Sequence, residues 1–382
     1  MDVYITGTSA FLPNDPVEND QVEDIIGSIT RLSPKVKEIV LKSNGIKKRY
    51  YAIHPQTRKP THTNARLAAE AIKRLISSSG ISGNDIELLA CGTSIPDQIL
   101  PGHASIIHGE LGTAPCEIIS CSGVCCSGMA AMKYAYANVS AGFSKVAVAS
   151  ASEAASSYIR KENYRIPPQE NNPALSDNSM PGFNGEFLRW MLSDGAGAVL
   201  LENKCPEDRI SLKIEWIEQR SFANELDTCM YAGAVKNDDG SLRGWRDFDS
   251  LQDALGNNVF AIQQDVKLLN KEIVKTAVER ALIPVAKSRE LSPEQIDWFL
   301  PHYSSDYFRS DFFEKLKFNG FEIPYSKWFT NLTEKGNTGA ASIFIILDEL
   351  FKSGKIKRGE KLLCFIPESG RFTICYMLLT VV

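Results

Sequence analysis

The sequence predicts an α/β fold made of two similar halves, and three observations carry that prediction. Short runs of apolar and branched residues alternate along the chain with longer stretches of helical periodicity, as strands and helices do in α/β proteins. The segment Asp85–Cys91, followed by Gly92-Thr93-Ser94, is echoed 210 positions later by Gln295–Pro301, followed by His302-Tyr303-Ser304. Lys145–Val148 is echoed by Lys361–Cys364, and between these landmarks Cys125 and Asn337 occupy similar strand-to-helix corners, 212 positions apart. Three echoes in one order indicate an internal duplication. The polar stretch around Pro206 divides the chain into a half spanning 1–205 and a half spanning 206–382. With 382 residues, there is enough chain for two sizeable cores or one large duplicated domain.

In the first half, strands are expected at Val3–Thr6, Leu88–Cys91, Glu117–Ile119, Val146–Ala149 and Gly197–Leu201, each a short apolar run. Helices are expected at Ala65–Ser77 and Ser127–Ala141, where Ala130, Ala131, Met132, Tyr134, Ala135 and Val139 fill an apolar helix. In the second half, strands are expected at Leu212–Trp216, Trp298–Leu300, Phe329–Asn331, Leu362–Ile366 and Thr373–Leu379. Helices are expected there at Phe260–Ala281, Phe308–Leu316 and Ala340–Ser353. The stretch from Lys161 to Glu186 breaks the rhythm with Pro167, Pro168, Pro173 and Pro181, and reads as a long loop or insertion that shapes a pocket or simply covers surface.

Composition excludes several function classes. A net charge of −4 and a pI near 5.9 argue against nucleic-acid binding. Nine cysteines without a repeated C-x-x-C pattern argue for reduced thiols and against a structural zinc site. The start MDVYITGTSAFLP has no basic n-region, so no secretory leader is expected. No apolar run approaches the ~20 residues that span a bilayer. A soluble cytoplasmic protein, without cofactor or metal, is the expectation.

Cys125 is the most informative residue. It lies in Gly123-Val124-Cys125-Cys126-Ser127-Gly128-Met129, where a strand hands over to an apolar helix. A thiol in the first turn of a helix faces the positive end of the dipole and unpaired N–H groups, which favour the nucleophilic thiolate. His302 follows an apolar strand, and Asn337 opens another helix in Gly336-Asn337-Thr338. Cysteine, histidine and asparagine at the ends of core elements suggest thioester chemistry. Each has a plainer reading: a small buried cysteine, a structural histidine, a helix N-cap. Cys126 competes with Cys125 as nucleophile, and Cys121 is more distant.

These motifs give the chain a resemblance to the β-ketoacyl-acyl-carrier-protein synthase III group of the thiolase superfamily. It rests on Gly45-Ile46-Lys47-Lys48-Arg49-Tyr50-Tyr51-Ala52, the Cys125 corner, Ser193-Asp194-Gly195-Ala196-Gly197-Ala198, Pro301-His302, Gly336-Asn337-Thr338 and Gly370-Arg371-Phe372-Thr373, in that order. The resemblance implies two βαβ halves in a five-layered thiolase-like fold, a homodimer, and acyl carrier protein as partner. It implies an acyltransferase in which Cys125 carries the acyl group and His302 and Asn337 donate to an enolate oxygen, with the backbone near Gly370 and Arg371 serving the oxyanion. In this family a glycine commonly stands two residues after the nucleophile, which is what gives Cys126-Ser127-Gly128 its claim. Where relatives grip the nucleotide of coenzyme A with tryptophan and arginine, this chain has Ile39 and Ser43, which puts that donor in doubt.

A narrower similarity, to enzymes of dialkylresorcinol and flexirubin-type pathways, rests on Asn64-Ala65, Cys91-Gly92-Thr93-Ser94, Pro96-Asp97-Gln98, Gly123-Val124-Cys125, Phe187–Met191 and Pro367–Phe372. It implies joining of two carrier-bound acyl chains and closure to a 1,3-cyclohexanedione. The alternatives are an initiating synthase that condenses an acyl starter with malonyl-carrier protein and a non-catalytic partner subunit. The basic run from Arg31 to Arg49, with Lys42, Lys47, Lys48 and Arg49, is a docking candidate for an acidic carrier protein or an ordinary solvated face.

Overall fold

The computed structural model describes residues 1–29, 34–164, 185 and 187–382. The expected Lys161–Glu186 insertion, past Tyr164, lies outside the described residues except for Gly185, as does Arg31. Nine strands form one sheet: β1 (Tyr4–Phe11), β2 (Leu88–Thr93), β3 (Glu117–Ser122), β4 (Val146–Glu153), β5 (Gly195–Glu202), β6 (Leu212–Ser221), β7 (Trp298–Pro301), β8 (Lys361–Pro367) and β9 (Thr373–Val381). Their order is β7-β8-β9-β6-β1-β5-β4-β2-β3.

The strand senses repeat. β2 and β4 are parallel, while β4–β5 and β5–β1 are antiparallel. β7 and β8 are parallel, while β8–β9 and β9–β6 are antiparallel. The two sets meet where Tyr4 lies opposite Lys213 and Ile5 opposite Leu212.

Five layers follow from where the helices bury their apolar faces. Helix α1 is Pro34–Asn44, at the surface, and α2 is Asn64–Ser79. Thr63 caps α2 by accepting from the Arg66 N–H, and Gly80 ends it in the left-handed region. Its Leu67, Ala68, Ile72 and Leu75 pack on β1, β4 and β5 together with α3 (His103–Leu111). Helices α4 (Ser127–Ala141) and α8 (Ser342–Lys352) fill the middle. There Met129, Ala131, Phe344 and Leu347 share a core with Leu300, Cys364 and Met377. Over the far side of the second set of strands lie α5 (Val266–Lys275), α6 (Ile283–Ser288) and α7 (Arg309–Phe318). Their core includes Ala277, Val278, Phe312, Phe365 and Tyr376. Both helices bury most of their length in this layer and keep one polar edge, with Lys133 and exposed Tyr134 on α4 and Glu349 and Lys352 on α8.

Two expected elements differ. Phe329–Asn331 is not a strand: the parallel pairing there is a single bridge between Phe299 and Trp328, extended by one bond from the Phe329 N–H to the Phe299 carbonyl at 2.8 Å. The segment is held by aromatic packing of Trp328 on Phe299, at 5.0 Å and 73°. The expected helix from Phe260 starts at Val266, where Asp265 caps it, because Gln263-Gln264 pair with Met230-Tyr231 instead. It then runs past the expected end at Ala281. A π turn over Thr276–Leu282 precedes Pro284, whose missing N–H an α turn could not use.

Candidate active site

The Cys125 corner is built by three close approaches. Strand β2 lies under the start of α4, where a Cβ on Gly92 would sit 2.4 Å from the Ser127 carbonyl oxygen. The same helix start crosses the start of the α8 region, since a Cβ on Gly128 would sit 2.6 Å from the Ala340 oxygen. Glu368, at the end of β8, accepts from the backbone N–H groups of Val124 and Cys126 through one oxygen, both at 3.1 Å. The corners of the two halves are thereby clamped together, with Cys125 between the two bonded amides.

Cys125 and Asn337 line one cavity of about 310 Å³. Ser94, Glu153, Tyr158, Pro367 and Ser369 line it too, and most of the remaining wall is apolar. The backbone of Asn337 is fixed by pairing with Met191 and Ser193, and its Oδ1 accepts from the Gly339 N–H at 3.0 Å. That leaves its Nδ2 hydrogens as the donors available to a ligand. Cys126 is turned the other way. Its Sγ–H is shared between the carbonyls of Ile366 and Thr373, each at 3.4 Å, inside the central core. Gly128, which had lent weight to Cys126, is required by the helix crossing whichever cysteine reacts. Cys121 lies on β3, outside the cavity lining.

His302 is 3% exposed at the end of β7, and its backbone N–H donates to the Phe365 carbonyl at 2.8 Å. The next two residues, Tyr303 and Ser304, line the cavity. The ring Nε2 has no hydrogen-bond partner among the described residues. Burial holds this histidine down at about 4, so the ring is neutral near pH 7. The cavity wall expected from Gly370-Arg371 comes instead from Pro367 and Ser369. Gly370 accepts backbone bonds from Cys229 and Met230, and the exposed Arg371 donates to the Leu226 carbonyl at 2.9 Å.

The electrostatics differ from the helix-dipole expectation. Burial, then the Glu368 and Glu153 carboxylates, push the Cys125 thiol up. Helix α4 is capped at Cys126, so Cys125 precedes the first turn, and the flanking amides are taken by Glu368. The corner therefore holds a thiol, and activation needs a base.

Sequence reasoning missed Glu153 and did not single out Glu368. Glu153 closes the apolar strand β4, where a buried acid is rare without a partner. Three of the segments quoted for the narrower similarity, Asn64-Ala65, Cys91–Ser94 and Pro96–Gln98, form one network. The Asp97 carboxylate accepts from the N–H groups of Asn64 and Ala65, and the Asn64 amide donates to Thr93 and Ile95. This fixes Ser94, which donates to Glu153 from its backbone (2.9 Å) and its hydroxyl (2.6 Å).

The docking candidates separate. Lys42 and Lys47 are exposed beside a shallow depression that includes Leu41 and Ile46. Lys48 pairs with Glu334 at 3.2 Å. Arg49 is fully buried, donating to the Trp190 carbonyl and to Asn19, so it is a structural residue and is removed from the docking set.

The chain is similar to known proteins over nearly its whole length. Residues 286–370 match the family model for the C-terminal part of 3-oxoacyl-[acyl-carrier-protein] synthase III. β-Ketoacyl-[acyl-carrier-protein] synthase III of Neisseria meningitidis is 28% identical over 360 residues, covering 94% of this chain and 93% of its own. The Porphyra purpurea enzyme of the same name is 28% identical over 375 residues, with 94% of each chain covered. The chain is a synthase III-like condensing enzyme. As such it is an acyltransferase. Solved structures show that this enzyme has the thiolase-like fold. The tetronic acid condensing enzyme AbyA1 superposes with a TM-score of 0.76 at 16% identity, over 99% of both chains. OleA of Xanthomonas campestris, solved with lauric acid and lauroyl-CoA, superposes with a TM-score of 0.75 at 20% identity, over 100% of this chain and 99% of its own. No helix among the described residues of this condensing enzyme is long and apolar enough to cross a membrane.

The two buried histidines make its stability pH-dependent. His302 and His103 are both held at about 4 by burial, against an ordinary value of 6.5. Between pH 6.5 and 4 the unfolded chain takes up protons that the folded chain refuses, so these histidines make stability rise with pH through that window. The effect is on the order of 3 kcal/mol per histidine. Glu153 and Asp194, raised by burial to about 7 and about 6, act with opposite sign: their contribution is present below about pH 4 and is lost as pH rises through 6–7. His302→Gln is therefore expected to flatten the acid limb of stability. In denaturant unfolding, the wild type should lose more stability than the variant between pH 6.5 and 4.

Proposed function

We propose that the enzyme joins two acyl groups by a carbon–carbon bond, the first held on Cys125 and the second delivered on an acyl carrier protein. The observation that carries this reading is the shared cavity, where Cys125 and Asn337 stand on a wall otherwise made of side chains such as Leu188, Met191, Ile262, Leu269, Ile273 and Phe312. An acyl chain fits the apolar part, and its thioester falls at the polar corner. The Cys125 sulfur attacks the thioester carbon, and the carrier thiol leaves with the proton. The neutral His302 ring is suited to hold that proton in passage, and the Asn337 amide to donate to the enolate oxygen of the second substrate. Lys42 and Lys47 offer a docking surface for an acidic carrier. This chemistry belongs to the cytoplasm and needs no cofactor.

The narrower reading is that the condensed chain closes to a 1,3-cyclohexanedione, the precursor of a dialkylresorcinol. The Asn64–Asp97–Ser94 network, assembled from three of the segments that resemble such enzymes, supports it. The names of the sequence relatives favour a second reading, condensation of an acyl starter with malonyl-carrier protein. A homodimer is part of either reading. Strand β3 is an open sheet edge with Ile118 exposed and Ile99 and Leu100 standing free nearby, the kind of edge that pairs with a second copy. The test is product analysis with malonyl- and 3-oxoacyl-carrier proteins, on protein whose mass in solution has been measured. A cyclic dione from the 3-oxoacyl donor is expected. Products from malonyl donors alone would select the initiating synthase, and a monomer would remove the dimer.

A further inference from the structure

Two buried acids flank Cys125, and their surroundings divide them. Glu368 has one oxygen fixed between the amides of Val124 and Cys126, while its neighbours Pro367 and Ser369, rather than Glu368 itself, face the cavity. It is a positioning residue for the corner. Glu153 does face the cavity, alongside Cys125 and Asn337.

All three hydrogen bonds to Glu153 fall on Oε1: from the Ser94 N–H at 2.9 Å, the Ser94 hydroxyl at 2.6 Å and the Ala340 N–H at 3.2 Å. Oε2 has no partner among them. The side chain is 4% exposed, and no lysine or arginine pairs with it among the described residues. The titratable groups around it are Cys125 at the α4 corner, Tyr158 in the same cavity lining and Asp194 just before β5, none of them a cation at neutral pH. The Asn337 turn is shaped around this carboxyl, since a Cβ on Gly339 would lie 2.8 Å from the Glu153 Cγ. A buried acid with one oxygen anchored to Ser94 and the Asn337 turn, and the other without a partner beside an apolar cavity, has the arrangement of a proton acceptor, not of a structural ion pair.

We infer that Glu153 is the general base that removes the α-proton of a second, non-decarboxylating acyl or 3-oxoacyl thioester. The inference rests on the proposed two-chain condensation, because a malonyl donor generates its carbanion by losing carbon dioxide and needs no base. The α C–H bond breaks and its proton goes to Oε2. The electron pair left on carbon attacks the carbonyl carbon of acyl-Cys125. The bond from that carbon to Sγ breaks, Cys125 leaves as thiolate, and the proton on Glu153 passes to it, restoring thiol and carboxylate. Burial, which raises Glu153 to about 7, makes its carboxylate a stronger base than an exposed one and places its ionisation in the working range.

The experiment compares wild type, Glu153→Gln and Glu153→Asp on acyl-Cys125 enzyme with two donors, 3-oxoacyl-carrier and malonyl-carrier protein, across pH 5.5–8.5. Exchange of the donor α-proton in heavy water is followed in parallel. Glu153→Gln should lose kcat with the 3-oxoacyl donor by ~10²–10⁴-fold and lose α-proton exchange, with a loss under tenfold for the malonyl donor. Wild-type rate with the 3-oxoacyl donor should rise through about pH 7, and that rise should vanish in Glu153→Gln and shift in Glu153→Asp. Equal losses with both donors, or exchange unchanged in Glu153→Gln, would overturn the base assignment while leaving two-chain condensation standing. Should the variants misfold, wild-type exchange that does not rise through pH 7 overturns it as well. A wild type that condenses only malonyl donors would overturn both readings.

Discussion

Cys125→Ala is expected to abolish covalent acylation, whereas Cys126→Ala preserves it. Intact-mass measurement after incubation with acyl-carrier and acyl-coenzyme A donors, followed by peptide mapping, reads this directly. The reason is geometric: Cys125 opens on the cavity, and Cys126 is bonded to the Ile366 and Thr373 carbonyls in the central core. Losing those two weak thiol contacts costs on the order of 1 kcal/mol of stability and should not touch acylation. An adduct that survives in Cys125→Ala and disappears in Cys126→Ala would reverse the assignment. The same measurement identifies the donor, because an adduct from coenzyme A thioesters would mean that Ile39 and Ser43 do not prevent their use.

The second large effect is expected at Gly92. Adding one methyl there places it 2.4 Å from the Ser127 carbonyl oxygen and 2.7 Å from the Gly128 nitrogen, both backbone atoms that cannot rotate away. Helix α4 must then shift off strand β2, and overpacking of this kind costs about 3 kcal/mol. Gly92→Ala should lower the denaturant midpoint without changing its slope, and should depress Cys125 acylation because the shifted helix carries the nucleophile's corner. Gly109→Ala in α3 is the control. A Cβ there meets nothing within 4 Å, and replacing a helical glycine should stabilise by ~0.5–1 kcal/mol. Equal stability in both variants would mean that α4 moves off β2 at little cost.

Much of the architecture was legible because strands in a fully buried sheet are continuous apolar runs. Leu88–Cys91 and Val146–Ala149 lie within β2 and β4, and Leu362–Ile366 and Thr373–Leu379 lie within β8 and β9. Phe329–Asn331 is misread for the same reason: the run Trp328-Phe329-Thr330 of aromatic and β-branched residues signals a strand whether or not a neighbour offers a ladder. The start of α5 was misplaced because Gln263-Gln264 are taken by pairing with Met230-Tyr231, a partner more than thirty residues away that local periodicity does not register. Arg49 looked like a surface cation because charge is read from sequence as exposure, yet here the Trp190 carbonyl and Asn19 satisfy its donors in the interior.

The sequence by itself determined the α/β class, the echo between the two sets of strands, and the candidate trio Cys125, His302 and Asn337. All of these are encoded locally, in runs of apolar residues and in the residue types that end them. Only the tertiary structure decided which cysteine faces the cavity, how the thiol is poised, and that the Glu153 and Glu368 carboxylates act on it. Those outcomes depend on burial and on distances between segments as far apart as Val124 and Glu368. A carboxylate is ordinary in water, and its ionisation becomes a functional property only when folding removes the water and leaves one oxygen without a partner.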